Sequence, residues 1–348
     1  MPEKFAMVFP KQLLFHYYSL SVSVMIIVGQ VEAYCDVTVA QDGSGQFWTI
    51  NEAVMAAPSW SPTSYYVCIR RGTYMENVVV GKDKTNLAFV GDGSSLTKIT
   101  ASRHSPEFPT PFTATVYVQG NGFTAKYVTF ENTAGPEHGQ AVAVLNMANQ
   151  SIFYQCTLLG YTHTLFAKES LQFYRECDIY GSRDFIFGDA SAVFQNCNLY
   201  ARVPNNVIIF TAQGRQWARE NTGFTIQNCS ITMDPRLSGS YKTTIRGFLG
   251  RPWFKYSRVM VMESYLDSII DPIGWFVGPN DPIKRLVYRE FSNWGPGAAT
   301  DRRATWGVSR VVIRANEAKP FTASKLIEGD SWIPNTGIPY YGSFAYEL

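Results

Sequence analysis

The sequence is short of histidine, of net charge and, after its first 33 residues, of long apolar runs, and each shortage removes a class of function. Its four histidines are His16, His104, His138 and His163, and its six cysteines form no Cys-x-x-Cys pair, so a zinc site is not expected. A formal net charge of +2 over 348 residues argues against a nucleic-acid binder, which would carry a basic stripe, and leaves room for a moderately anionic polymer. No later segment has the ~20 apolar residues of a membrane span. Helix signals are also scarce. The clear one lies after a Gly-rich turn at Asp42-Gly43-Ser44-Gly45, where Thr49 and Glu52 make a capping box, Ala53, Val54 and Ala57 share a face and Pro58 stops the run.

What is present begins with a leader. Lys4 and Lys11 precede an apolar stretch through Val22, Met25, Ile27 and Val28, and Val31-Glu32-Ala33 offers small residues for cleavage. Residues 1–33 read as a secretory signal peptide, with a membrane span as the weaker alternative because the run is short and interrupted by Ser and Tyr. The protein is then expected outside the cell, where Cys35, Cys68, Cys156, Cys177, Cys197 and Cys229 are free to form disulfides. Residues 34–348 are expected to form a single domain.

The middle of that domain repeats. Phe153-x-x-Cys156-x-Leu158, Tyr174-x-x-Cys177-x-Ile179, Phe194-x-x-Cys197-x-Leu199 and Ile226-x-x-Cys229-x-Ile231 share one frame, with degenerate copies around Val128 and Ser264. The steps from 128 to 156, 177, 197, 229 and 264 are 28, 21, 20, 32 and 35 residues, a basic unit of about 20 with loops inserted. Short β-branched and aromatic runs at this period, punctuated by Gly, Asn, Asp and Pro, predict an all-β parallel β-helix capped by the N-terminal helix. An antiparallel sandwich is the alternative, but it gives no reason for cysteine to recur at one position. In a β-helix most of these cysteines would be buried as small hydrophobes rather than bridged.

Asp184 stands out within Ile179-Tyr-Gly-Ser-Arg-Asp-Phe-Ile-Phe-Gly188, because a carboxylate is seldom set in an apolar run without a partner. It reads either as a reactive group or as a buried turn former. Gln140, Thr162 and Asp184 are spaced by 22 residues, which on coils of that length stacks them about 4.8 Å apart, with His163 one strand from Asp184.

Several strings, taken together and in order, carry a resemblance. Gly72-Thr-Tyr-Met-Glu-Asn77, Gln140-Ala-Val-Ala-Val144, Asp184-Phe-Ile-Phe-Gly188, Gln213-Gly-Arg215 and Leu249-Gly-Arg-Pro-Trp253 resemble the plant pectin methylesterase (pectinesterase) family from about Asp36 to Gly342. The resemblance implies a right-handed parallel β-helix that hydrolyses methyl esters of galacturonate in wall pectin without metal or cofactor. It implies Asp184 as the nucleophile, Arg251 as its ion-pair partner and Gln140 as a donor to the ester oxyanion. Phe166, Phe187, Trp253 and Trp275 would offer aromatic faces to sugar rings. Pectin (homogalacturonan) is the implied substrate, a proteinaceous pectinesterase inhibitor a candidate partner, and a monomer the expected state. The likeness starts directly after the leader, so the inhibitor-like N-terminal region of many plant members is not expected here.

The departures fall in the site. Where the family has Gly-Tyr-Gln-Asp-Thr-Leu-Tyr, this chain has Gly160-Tyr-Thr162-His163-Thr-Leu-Phe166, so the second oxyanion donor is Thr162 and the acid/base group is His163. Arg183 replaces a small or aliphatic residue. Imidazole can move protons, with a limb expected near its ordinary pKa of ~6.5. An esterase with an altered acid/base group and a pectin-binding β-helix with little turnover both fit. A glycan-cleaving β-helix fits less well, because it would need paired catalytic carboxylates and Asp184 has no obvious acidic partner at the site.

Overall fold

The computed structural model describes residues 34–204, 206–237, 244–306, 310–311 and 314–346, and the expected leader lies outside them. The described chain winds into a right-handed parallel β-helix whose coils each give strands to three sheets. Among the described residues the first sheet has 11 strands, from Val37–Val39 to Arg310–Val311, and the other two have 8 each, one strand of the second, Arg251–Pro252, lying off its main path beside Val207–Gln213. The repeated frame lies in register across the coils. Phe153, Tyr174, Phe194, Ile226 and Val261 are successive partners in the first sheet. Leu158, Ile179, Leu199, Ile231 and Leu266 are successive partners in the third.

Between those two rows the chain turns through one residue in the left-handed region. These are Tyr127, Gln155, Glu176, Asn196, Asn228 and Glu263, with φ from 50° to 62°, each just before the cysteine position. The thiols sit inside that turn. Cys177 Sγ donates to Phe153 O at 3.3 Å, and Cys229 Sγ accepts the Cys197 N–H at 3.3 Å. Ser264 occupies the same place in the next coil, where its Oγ accepts the Cys229 N–H at 3.0 Å and donates to Met262 O at 2.8 Å. From Cys177 to Ser264 the position thus holds a small side chain that bonds to the backbone, whereas in an earlier coil the apolar Val128 fills it. Cys156, Cys177, Cys197 and Cys229 are free and buried, and Cys35 and Cys68 form a disulfide across the first coil.

Helix α1 (Ile50–Ala56) closes one end, with Ile50, Ala53 and Val54 packed into the main core. Its start has two anchors. Thr49 and Glu52 form the capping box, and the Glu76 carboxylate accepts the N–H groups of Ile50 and Asn51 at 2.9 and 3.0 Å. At the other end of the chain, Leu326, Trp332 and Ile333 cover Ile152, Phe173 and Val193 on the outer face of the first sheet. These strands of the sheet are thus buried on both faces, which accounts for their nearly continuous apolar runs. Residues 341–346 run past the coils beyond it: Gln195 exchanges two hydrogen bonds with Tyr341, Gln227 donates to Ser343 O and Glu263 accepts from Ala345 N–H.

Candidate active site

The second sheet presents the cleft. Its strands Leu165–Ala167, Arg183–Gly188, Val207–Gln213 and Arg251–Pro252 bring Phe166, Phe187, Ala212 and Arg251 into line as successive partners on one face. The small Ala212 leaves room for Arg251 to reach back towards Asp184. Two glycines of the singled-out strings make the walls close: a Cβ on Gly188 (φ +130°) would fall 1.9 Å from Ala167 O, and one on Gly214 would fall 2.9 Å from the Trp253 ring.

Asp184 is 4% exposed and its charge is met by a bidentate pair, Arg251 Nε to Oδ1 and Nη2 to Oδ2, both 2.8 Å. Arg251 also donates through Nη1 to Asp281 Oδ1 at 3.3 Å. Donating to the Asp184 carboxylate raises the Arg251 pKa above its ordinary value despite burial. A fork held at both ends fixes the orientation of the Asp184 carboxylate.

Asp184 has φ 48°, and the ladder to the next strand shifts register between Arg183 and Ile186. Consecutive residues of a regular strand point to opposite faces. Here the left-handed turn lets Arg183 and Asp184 both line the cleft, with Arg183 exposed. The preceding coil does the same, because His163 has φ 68° and lines the cleft together with Thr162.

The hydrogen bonds set which side chains are neighbours. Ala141 N–H donates to Thr162 O and His163 N–H donates to Arg183 O. In a parallel ladder this sets Gln140 beside Thr162, Thr162 beside Arg183, and His163 beside Asp184. The 22-residue spacing had set Thr162 on Asp184; the left-handed turns displace that alignment by one residue. Gln140 lines the cleft and its Oε1 accepts from the Thr110 hydroxyl, which leaves Nε2 as the amide's donor.

His163 is enclosed. Its ring stacks on Phe187 at 4.1 Å and its Nε2 lies 4.0 Å from Asp184 Oδ2, beyond hydrogen-bond range. Its Nδ1 is buried without a hydrogen-bond partner among the described residues. Burial pushes its pKa down to about 4, with Asp184 opposing and Arg251 and Arg183 adding to the depression. The limb expected near 6.5 is therefore displaced to lower pH, because an imidazolium is costly in this enclosure.

Two aromatic expectations are corrected. Trp275 is 1% exposed, stacks on Tyr288 at 4.5 Å and donates Nε1–H to Glu290, so it belongs to the core and offers no face to a ligand. Phe187 is 3% exposed, with His163 stacked at 4.1 Å and Phe166 at 4.2 Å on its ring, so it offers no open face. Trp253, 39% exposed, supplies the open aromatic surface. Thr110 and Asp281 were not found from the sequence, since nothing in Thr110-Pro111 or Asn280-Asp281-Pro282 marks them as neighbours of Gln140 and Arg251.

The cleft of about 560 Å³ is lined by Thr110, Pro111, Gln140, Thr162, His163, Phe166, Arg183, Asp184, Phe187, Ala212, Arg251 and Trp253. Among the described residues no cluster of His, Cys, Asp or Glu could hold a metal ion. The arrangement offers one oriented carboxylate, an amide donor across from it and an aromatic wall, a set suited to attack on a neutral carbonyl.

Comparison with known proteins adds to this geometry. A family model described as Pectinesterase matches residues 36–330. Pectinesterase/pectinesterase inhibitor PPE8B of Prunus persica is 44% identical over 313 residues, 89% of this chain and 60% of that protein. Pectinesterase 2 of Citrus sinensis is 43% identical over 314 residues, covering 89% and 61%. Among solved structures, pectin methylesterase from carrot superposes with a TM-score of 0.87 at 41% identity, covering 90% of this chain and 99% of that one. Pectin methylesterase from Aspergillus niger gives 0.74 at 30% identity, covering 86% and 95%. The chain spans about 60% of the length of the first curated relatives it matches.

Proposed function

The chain belongs to the pectinesterase family, and from that membership we propose that it hydrolyses methyl esters of homogalacturonan in the plant cell wall, leaving pectate and methanol. The observation that carries this reading is the Asp184 carboxylate held by both nitrogens of the Arg251 fork at the base of a cleft with an open tryptophan face. In this proposal an Asp184 oxygen attacks the ester carbonyl carbon, and the oxyanion forms beside Gln140 Nε2. Methoxide leaves and takes up a proton. Water then attacks the acyl-enzyme anhydride, returns the Asp184 carboxylate and releases the galacturonate acid. Residues 1–33 act as a leader that directs the protein to the wall; no helix among the described residues is long and apolar enough to cross a membrane.

One observation favours a second reading, a β-helix that binds pectin with little turnover. With its pKa near 4, about one His163 ring in a hundred carries the second proton at pH 6, so a proton for departing methoxide is scarce. For Nε2 to accept a proton from water instead, the ring hydrogen must sit on Nδ1, which is buried without a hydrogen-bond partner among the described residues.

Methanol release from highly methylated pectin separates the two readings. The assay uses protein recovered from the culture medium, whose first residue lies near Tyr34 if the leader is removed as proposed. Wild type should release methanol, increasingly so as pH falls from 7 towards 4, and Asp184→Asn should lower the rate at least ~10³-fold. The pair Thr162→Gln with His163→Asp should raise it about tenfold or more. Absence of release from wild type and from that double variant, with pectin still bound, would establish the binding reading.

A further inference from the structure

We propose that Arg183, with Thr162 beside it on the preceding coil, forms a receptor for a free uronate carboxylate, so that the cleft holds a de-esterified galacturonate unit more tightly than its esterified counterpart. This inference rests on homogalacturonan being the ligand.

The charges of the cleft lead to it. Among the ionised side chains that line it are one carboxylate, Asp184, and two guanidinium groups, Arg251 and Arg183. Arg251 is saturated by Asp184 on one side and Asp281 on the other. Arg183 is exposed and, among the described residues, forms no ion pair. His163 adds no negative charge. The cleft therefore carries a surplus cation immediately beside the Asp184 position.

The backbone aims that cation. The left-handed φ of Asp184 and the register shift after Arg183 turn the Arg183 side chain to the same face as Asp184. The hydrogen bonds Ala141 N–H to Thr162 O and His163 N–H to Arg183 O then set three donors in a row across adjacent coils: the Gln140 amide, the Thr162 hydroxyl and the Arg183 guanidinium. Neighbouring strands are about 4.8 Å apart, so this row can follow the carbonyl or carboxylate groups of a chain laid across the coils. A guanidinium meets a carboxylate with two parallel N–H···O bonds, whereas an ester offers it only neutral acceptors. The row therefore distinguishes the acid from the ester at one position next to the reacting centre.

Calorimetric titration tests this with two probes, hexagalacturonate and its uncharged methylamide, which stands in for the methyl ester without being turned over. Wild type should bind the acid hexamer more tightly, and less so as NaCl is raised. Arg183→Leu should weaken the acid hexamer about fivefold or more and leave the methylamide within about twofold. Arg183→Lys should fall between, since it keeps the charge and loses the fork. Circular dichroism checks that the variants fold, which the exposed position favours. If both hexamers bind and either wild type shows no acid preference or Arg183→Leu leaves it intact, the proposal is overturned while the pectin reading stands. If neither hexamer binds wild type, both are overturned.

Discussion

At the scale of single residues the site is governed by what surrounds each titrating group. His163 carries the clearest linkage to stability. Its folded pKa of about 4 lies below the ordinary 6.5, so between those values the unfolded chain binds the extra proton and the folded chain does not. Stability is therefore full above about pH 6.5 and falls as pH drops towards 4, by up to about 3 kcal/mol from this group. His163→Gln should lack that component. Urea unfolding at pH 7 and pH 4 should show wild type losing more stability than the variant on acidification; equal losses would contradict the enclosure described. Asp184 was legible in the sequence because a lone carboxylate in an apolar run asks for a partner, and Arg251 was reached through the Leu249-Gly-Arg-Pro-Trp253 string. Trp275 and Phe187 were misjudged because both aromatic types serve cores and grooves alike, and only packing against Tyr288, His163 and Phe166 decides between them.

At the scale of elements, the repeat was legible and its turn was not. Apolar residues flanking each cysteine announced strands at a fixed period, and they are successive ladder partners. The left-handed residue before each cysteine, or the Val128 or Ser264 that takes its place, is Tyr, Gln, Glu or Asn, too varied to mark a turn. The capping box of α1 was readable from Thr49 and Glu52. Glu76, 26 residues from Ile50, was not, although it accepts two backbone N–H groups of the first turn. Thr49→Ala should cost about 1 kcal/mol, as N-cap losses generally do. Glu76→Ala should cost about 2 kcal/mol or more, because it removes a charged acceptor from two backbone N–H groups and from the Asn51 side chain. Chemical denaturation of the two variants should rank them in that order.

At the scale of the whole molecule, the solenoid's length and its chemistry are separately secured. The cleft lies on the second sheet, whereas residues 341–346 bind Gln195, Gln227 and Glu263 beside the first. Removing the chain from Tyr341 onward should therefore lower stability by about 3 kcal/mol, through the lost hydrogen bonds and a buried Glu263 left short of donors. The cleft should be unaffected: binding of hexagalacturonate should stay within about twofold of the full chain, and a larger loss would show that the segment also shapes the site. The same segment acts as a gauge. Solenoids change length by gaining or losing coils, each adding about 4.8 Å. Tyr341, Ser343 and Ala345 meet receptors on three consecutive coils, one receptor to every second residue. A coil inserted among those three would carry a receptor out of reach of a segment with no slack between its contacts. Growth of the chain in this stretch is thereby confined to loops, and it is here that the frame steps lengthen to 32 and 35 residues while the number of coils under the segment stays fixed.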